Sequence, residues 1–503
     1  MQKCKKILCI MVASLLILTV LGGCQAGENG VDATTTANSI AANAGVEPAA
    51  ATNLEPYEIN WYTVADPQQD TPLVEEEVNK YLKDKINATL KLNYLSWGDF
   101  DAKIPTMLMA GESFDLCFTC GWFNKYRPNV AKGVFLGLSK LIDEYAPKTK
   151  ALLGEDILSA TRIVGQNYAI PTYKEMARAQ GYLLLKPIVD KYKFDLSTIK
   201  TYKDIEPILK VIKENEPDVV PHGNDIPMEW NNLCDTIVLY PDNRDTKAVF
   251  IFETPEFKDI CETAYKWAQA GYISKDKGIT QEDMMKNSKV FAVAQGLKPG
   301  KDAEISKSYN SEWVQVQTTP TIMTNGELDG SMVGIPINSK NPERAMMLLE
   351  LYNTDKYLNN LISFGIENTH WVKESDNIID FAPATENGKK SGYNPNTSWT
   401  MGNIFLNYVF KSEDPNKLKN LEDFNKTALA MNNLGFSFDN EPIKTEQAAC
   451  ANVYSEYYED LKRGLVDPAV KIPEAIEKFE ANGIRKIQEE VQKQLDRYMA
   501  SIK

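Results

Sequence analysis

The chain has 503 residues, of which 43% are hydrophobic, 10% aromatic and 25% charged, values of a globular protein that exclude global disorder, collagen-like repeats and a coiled-coil rod. At ~150 residues per domain the length allows more than three domains, but as a soft prior it equally accommodates two large lobes. Acidic residues number 69 against 55 lysines plus arginines, for a net charge of −14, and three of the lysines lie in the first 23 residues; so acidic a remainder excludes a nucleic-acid partner, which clustered positive charge would have to hold.

Lys3, Lys5 and Lys6 precede the apolar run 7–20, and Leu21-Gly22-Gly23-Cys24 follows it. The run is too short for ~30 Å of hydrocarbon and ends in small residues, so residues 1–23 are expected to be a signal peptide, leaving no transmembrane segment in the mature chain. Leu-Gly-Gly-Cys resembles a bacterial lipobox. The resemblance implies diacylglyceryl transfer to the Cys24 thiol, cleavage before it, and a lipid-anchored protein on the extracytoplasmic face of the cell membrane. Residues 24–54 then form a tether: from 25 to 53 there is no aromatic residue, and Ala, Thr, Asn and Gly dominate, so too little apolar surface is available to offset ordering. Some 30 flexible residues reach roughly 30 Å.

The globular part is expected to begin with a strand at 57–62, where apolar and polar residues roughly alternate, and a helix opened by Asp70-Thr71-Pro72 with Val74, Val78, Tyr81 and Leu82 as its buried stripe. Asn87 is a candidate C-cap. A strand at 89–95, a helix at 100–110 stopped by Gly111 and a strand at 114–118 complete a β-α-β-α-β series, which predicts a parallel sheet with ligands beyond the carboxyl ends of its strands. Those ends carry Trp61, Trp97 and Trp122. A second α/β region shows helical stretches near 184–193, 202–214 and 255–271 and a strand at 290–295. A strand at 332–337 and a helix capped by Asn341-Pro342-Glu343 read as a return crossing. Helical periodicity then covers 421–432, 445–463 and 473–498, and in the last Ile484, Ile487, Val491, Leu495 and Tyr498 step by three and four, a core-packing stripe.

Removal of the signal and lipidation of Cys24 leave Cys117, Cys120, Cys234, Cys261 and Cys450, an odd number that argues against a disulfide framework. Cys117 and Cys120 have CxxC spacing, yet Cys117 lies inside an apolar strand instead of opening a helix, so a thioredoxin-like redox role is not expected. With no second CxxC, and His222 and His370 far apart, neither a metal site nor a cofactor is expected.

Gln166-Asn167-Tyr168-Ala169-Ile170-Pro171 resembles the run that precedes the first lobe crossing in family 1 solute-binding proteins of ABC importers, with Gln-Asn replacing the usual Gly-Lys. Ala177-Arg178-Ala179-Gln180-Gly181-Tyr182-Leu183 stands where a helix is then expected. The segments 364–371, 434–439, 446–458, 464–468 and 481–484 resemble those proteins and their DUF3502-type C-terminal region. The resemblance implies an α/β, two-lobed (type II) periplasmic-binding-protein fold with a hinge between lobes. One lobe would comprise 55–173 plus about 325–380, the other 174–324 plus about 381–503. It also implies a monomeric, non-enzymatic protein that presents a ligand to permease subunits.

An aromatic ring covers the apolar face of a pyranose while carboxylates and amides fix its hydroxyls, so a tryptophan-rich cleft suits a carbohydrate, mono- or oligosaccharide. The candidate ligand residues are Trp61, Trp97, Trp122, Tyr173, Glu175, Trp230, Trp313, Glu367, Trp371 and Trp399. Tyr173 and Glu175 follow the Ile-Pro crossing, where the resemblance places lobe-bridging contacts. The competing readings are a secreted glycoside hydrolase, which needs two facing carboxylates, and a ligand-sensing surface protein without a transport role.

Overall fold

The computed structural model describes residues 54–383 and 391–502; the expected signal peptide, Cys24 and nearly all of the expected tether lie outside them. Strand Tyr57–Val64 is buried at Ile59, Trp61 and Thr63 on one face, the period-2 pattern of a sheet covered by helices. Helix Thr71–Ile86 follows with Pro72 in its first turn and Val74, Val78, Leu82 and Ile86 buried, and Asn87 ends it in the left-handed conformation (φ 44°). Asp70 does not cap this helix: its carboxylate accepts from Gly392 N at 3.2 Å instead.

These elements build a five-stranded sheet in the order Ala88–Leu95, Tyr57–Val64, Leu116–Thr119, Met332–Gly334, Ala169–Pro171. The first three strands are parallel, as expected, and Met332–Gly334 inserts antiparallel to both its neighbours. A second sheet has the order Trp313–Gln317, Ala179–Leu185, Val290–Leu297, Val220–His222. The stretch 177–183, expected to start a helix, is therefore largely a strand. Ala179–Leu185 is central and covered on both faces, and such strands read as continuous apolar runs that periodicity cannot tell from helix.

Each sheet has its own core. The first gathers Ile59, Val78, Leu92, Leu328, Leu349 and Tyr352, among others, and the second Leu183, Leu209, Trp267, Phe291 and Trp313. A third joins 230–261 to the C-terminal helices Lys444–Lys462, Pro468–Ala481 and Ile484–Ser501. The helix expected over 473–498 is thus two helices, broken at Gly483, whose φ of 92° few other residues would accept. Segment 391–410, assigned from sequence to the second lobe, packs on the first core instead. Tyr393 and Met401 are buried there, and the Tyr393 hydroxyl donates to Ile362 O at 2.7 Å and meets the Tyr94 hydroxyl at 2.8 Å.

Three chain segments pass between the sheets side by side. Arg178 pairs with Ile322, and Ile322–Met323 pairs with Leu429–Ala430 in parallel. This narrow junction, with the first sheet on one side and the second on the other, is the hinge of a two-lobed α/β fold.

Candidate functional site

Strand Ala88–Leu95 runs into Ser96, whose hydroxyl accepts from Asp99 N at 3.3 Å and so starts helix Trp97–Ala110. The junction puts Trp97 at the carboxyl end of the sheet. Leu116–Thr119 ends nearby, and the turn after it carries Trp122, whose indole N–H donates to Gly330 O at 2.9 Å. Gly121 suits this turn, since a Cβ there would meet the Asp329 carboxylate at 2.6 Å and push it aside. Segment 391–410 brings in Trp399, nearly parallel to Trp97 (centroids 6.0 Å, 21°) and to Trp122 (6.4 Å, 17°). Trp97 is 43% and Trp122 53% exposed. Three tryptophans from distant parts of the chain thus form one solvent-facing aromatic platform, backed by Phe123.

Trp122 and Trp399 line a cleft of about 330 Å³ at the hinge. The rest of its lining is small or charged: alongside Ala177, Leu297 and three glycines stand Lys174, Glu175 and Arg178 on the first crossing, Lys298 and Lys301 just past the carboxyl end of strand Val290–Leu297, and Glu327 after the second crossing. Lys298 Nζ is 3.0 Å from Glu175 Oε1 and 3.0 Å from Glu304 Oε1, and Lys174 lies 3.9 Å from Glu175. Burial pushes the Glu175 carboxyl upward, but the two lysines outweigh it and hold it below its ordinary value. Burial likewise works against the Lys298 ammonium, and its two carboxylate partners more than restore it. The cleft therefore sets charged donors and acceptors beside the aromatic rings, the chemistry that orients hydroxyl groups.

Of the ten candidate ligand residues, Trp122, Trp399 and Glu175 line this cleft, and Trp97 packs against its two tryptophans from outside the lining. Tyr173 sits beside it, held to the first lobe by main-chain bonds to Gly402 and Ile404 and by packing on Phe405. Trp61 is fully buried against Tyr352 in an edge-to-face pair, and Trp230 and Trp313 belong to the other two cores. Trp371 is buried, donating to Gly365 O at 2.9 Å, and Glu367 is an exposed turn residue outside the cleft. His370 is buried, accepts from Ile366 N at 2.8 Å and lies 3.4 Å from Asp70, a structural role. Sequence reading missed Lys174, Arg178, Lys298, Lys301 and Glu327. Lys298 follows a strand directly, so the strand-end rule applied to the second sheet would have found it; Arg178 was masked by the expected helix. All five described cysteines are free and buried, and no cluster of three or more metal-ligating side chains occurs among the described residues.

Asp329 supports the platform turn: its carbonyl accepts from Gly121 N at 2.8 Å, and its carboxyl, raised to about 6 chiefly by burial, has Arg127 3.9 Å away as a partial counter-ion. A carboxyl whose folded value exceeds its unfolded one favours the fold below the unfolded value and loses that contribution as pH rises through the folded one. Relative to Asp329→Asn, the wild-type protein is expected to lose about 2 kcal/mol of stability between pH 4 and pH 7. Paired urea titrations across that range check this, and parallel curves would refute it.

The profile of the bacterial extracellular solute-binding proteins matches residues 65–359, and that of a domain of unknown function, DUF3502, matches 432–500. The chain is 28% identical over 464 residues to a carbohydrate ABC transporter substrate-binding protein of Streptococcus pneumoniae serotype 4 (strain ATCC BAA-334 / TIGR4), covering 88% of this chain and 91% of that protein. Among solved structures it resembles the N-glycan transport solute binding protein NgtS of Streptococcus pneumoniae, with TM-score 0.77, 28% identity, and 89% and 100% of the two chains covered. The same protein in complex with Man1GlcNAc superimposes with TM-score 0.67 at 27% identity, covering 88% and 100%. An HMO-binding, ABC-transporter-associated solute binding protein from Bifidobacterium longum infantis ATCC 15697 shares the fold, with TM-score 0.58 at 15% identity, covering 88% and 99%.

Proposed function

The chain belongs to the bacterial extracellular solute-binding proteins, and from that premise we propose that its hinge cleft binds an oligosaccharide and delivers it to the permease of an ABC importer. The observation that carries the reading is the platform of Trp97, Trp122 and Trp399 beside charged donors and acceptors. Ring faces of this kind cover the C–H faces of pyranoses, and the charged groups serve their hydroxyls. Centroid separations of 5.5–6.4 Å between the rings spread the platform beyond one sugar, which favours an oligosaccharide over a monosaccharide. The relative of 28% identity that is named a carbohydrate transporter component supports this class, and the NgtS complex with Man1GlcNAc suggests mannose- and N-acetylglucosamine-containing chains as the first to test.

The cleft residues Lys174, Glu175, Arg178, Lys298 and Lys301 on one lobe would close against the tryptophans on the other. The protein would act as a monomer, held to the membrane through a lipid on Cys24 and the tether that follows. Glu175, the carboxylate paired with Lys298 in the cleft, is held low and does not suit the general acid that a glycoside hydrolase would need.

The test is calorimetric titration of the purified protein with Man1GlcNAc, Man5GlcNAc, milk oligosaccharides, short peptides and polyamines. Binding of an oligosaccharide without its turnover is expected. Binding of peptides or polyamines alone would overturn the carbohydrate assignment, and hydrolysis of any oligosaccharide would overturn the transport one.

A further inference from the structure

We propose that Arg178 is the positioning residue that fixes the two lobes relative to each other and links that geometry to the cleft. Its ligand arm rests on the cleft reading above; its core does not. The main chain of Arg178 lies where the crossing segments meet, exchanging bonds of 2.9 Å in both directions with Ile322. Its side chain points two ways at once. Nε and Nη2 donate to Glu229 Oε1 at 3.1 and 2.9 Å, and Nη2 also donates to Trp230 O at 2.9 Å. Nη1 donates to Glu327 Oε1 at 3.1 Å.

The two acceptors are tied to different bodies. Glu327 completes a capping box with Thr324 at the start of helix Asn325–Leu328, and Leu328 is buried in the first core. Glu229 precedes Trp230, whose indole packs in the third core with the C-terminal helices of the DUF3502 region. A planar guanidinium can hold both at once; an ammonium on a flexible stem cannot reproduce the fork. Arg178 also lines the cleft, with 30% of its side chain exposed there.

Two carboxylates share this one guanidinium, and the second oxygen of Glu229 is buried without a partner. Burial raises the Glu229 carboxyl despite its contact with Arg178. Hinge rotation that withdrew Glu229 from Arg178 would strand a buried carboxylate, a steep penalty. The clamp therefore favours discrete lobe positions over a continuum, and a ligand hydroxyl meeting the exposed edge of Arg178 acts on the same group that holds both lobes.

The experiment measures inter-lobe distance by pulsed electron spin resonance, with spin-labelled non-canonical residues at the exposed positions 103 and 262, one on each lobe. In the free protein a single narrow distance is expected for the wild type. Arg178→Lys and Glu327→Gln should give broadened or shifted distributions in protein that remains folded, while Glu304→Gln, which weakens pairs with Lys298 and Lys301 and leaves Arg178 untouched, should not. Distributions in Arg178→Lys and Glu327→Gln that match the wild type would overturn the proposal. With Man5GlcNAc as the probe, the wild type should show tryptophan quenching and a shortened distance, and Arg178→Lys quenching without the shortening. A wild type that ignores the glycan counts against the cleft reading alone, because the free-protein arm still decides the role of Arg178.

Discussion

Trp61→Ala is expected to destabilise the protein by about 3–5 kcal/mol, the range for emptying a large aromatic from a closed core. Trp61 has no exposed surface and meets Tyr352 edge to face at 5.5 Å. It lies between a strand of the first sheet and helix Pro342–Thr354, and little around it can collapse into the vacancy. Its indole N–H is buried without a partner, so Trp61→Phe gives up no hydrogen bond and should cost much less. Urea denaturation of the three proteins measures both effects. A loss under about 1 kcal/mol for the alanine variant would show that the site relaxes or opens to solvent, contrary to the packing described.

The opposite profile is expected for the platform. Trp97→Ala combined with Trp122→Ala should weaken oligosaccharide binding by about 2–4 kcal/mol, some thirtyfold to a thousandfold, because Trp122 lines the cleft and Trp97 packs against both Trp122 and the other cleft tryptophan, Trp399. Trp122→Ala alone should account for about 1–3 kcal/mol of this. The melting temperature of the free protein should barely move, since both side chains are about half exposed and fill no core. The two rings also touch, with centroids 5.5 Å apart, so the double replacement need not equal the sum of the singles. Titration calorimetry and thermal melts on the same samples separate the outcomes: a large drop in melting temperature would make the platform part of the core, and unchanged affinity would move the ligand elsewhere.

The contrast between Trp61 and Trp122 shows how far the sequence could be read. Both were assigned to the cleft because each lies near the carboxyl end of a strand. Alternation along 57–64 already puts Trp61 on the face of Ile59 and Thr63, and that face packs on helices Thr71–Ile86 and Pro342–Thr354 in the first core. Trp122 lies past the end of its strand, where no alternation applies, and its exposure follows from the turn at Gly121. Trp230 and Trp313 carry no comparable local signal, because the cores that bury them are assembled from segments far away in the chain, and Trp371 is held by Gly365 just before it and by the ring of Tyr408.

What the sequence determined by itself was local or compositional: the alternating order of strands and helices in the first sheet, the left-handed stops at Asn87 and Gly111, and the class of fold. Periodicity, capping and turn chemistry act over a few residues and survive being read one segment at a time. Only the tertiary structure decided that 391–410 returns to the first core, that 179–185 is a central strand, and that Trp399 joins Trp97 and Trp122 beside Lys298 and Arg178. Those outcomes depend on which apolar faces cover one another across hundreds of residues, and burial and charge pairing of that range leave no periodic trace in the chain.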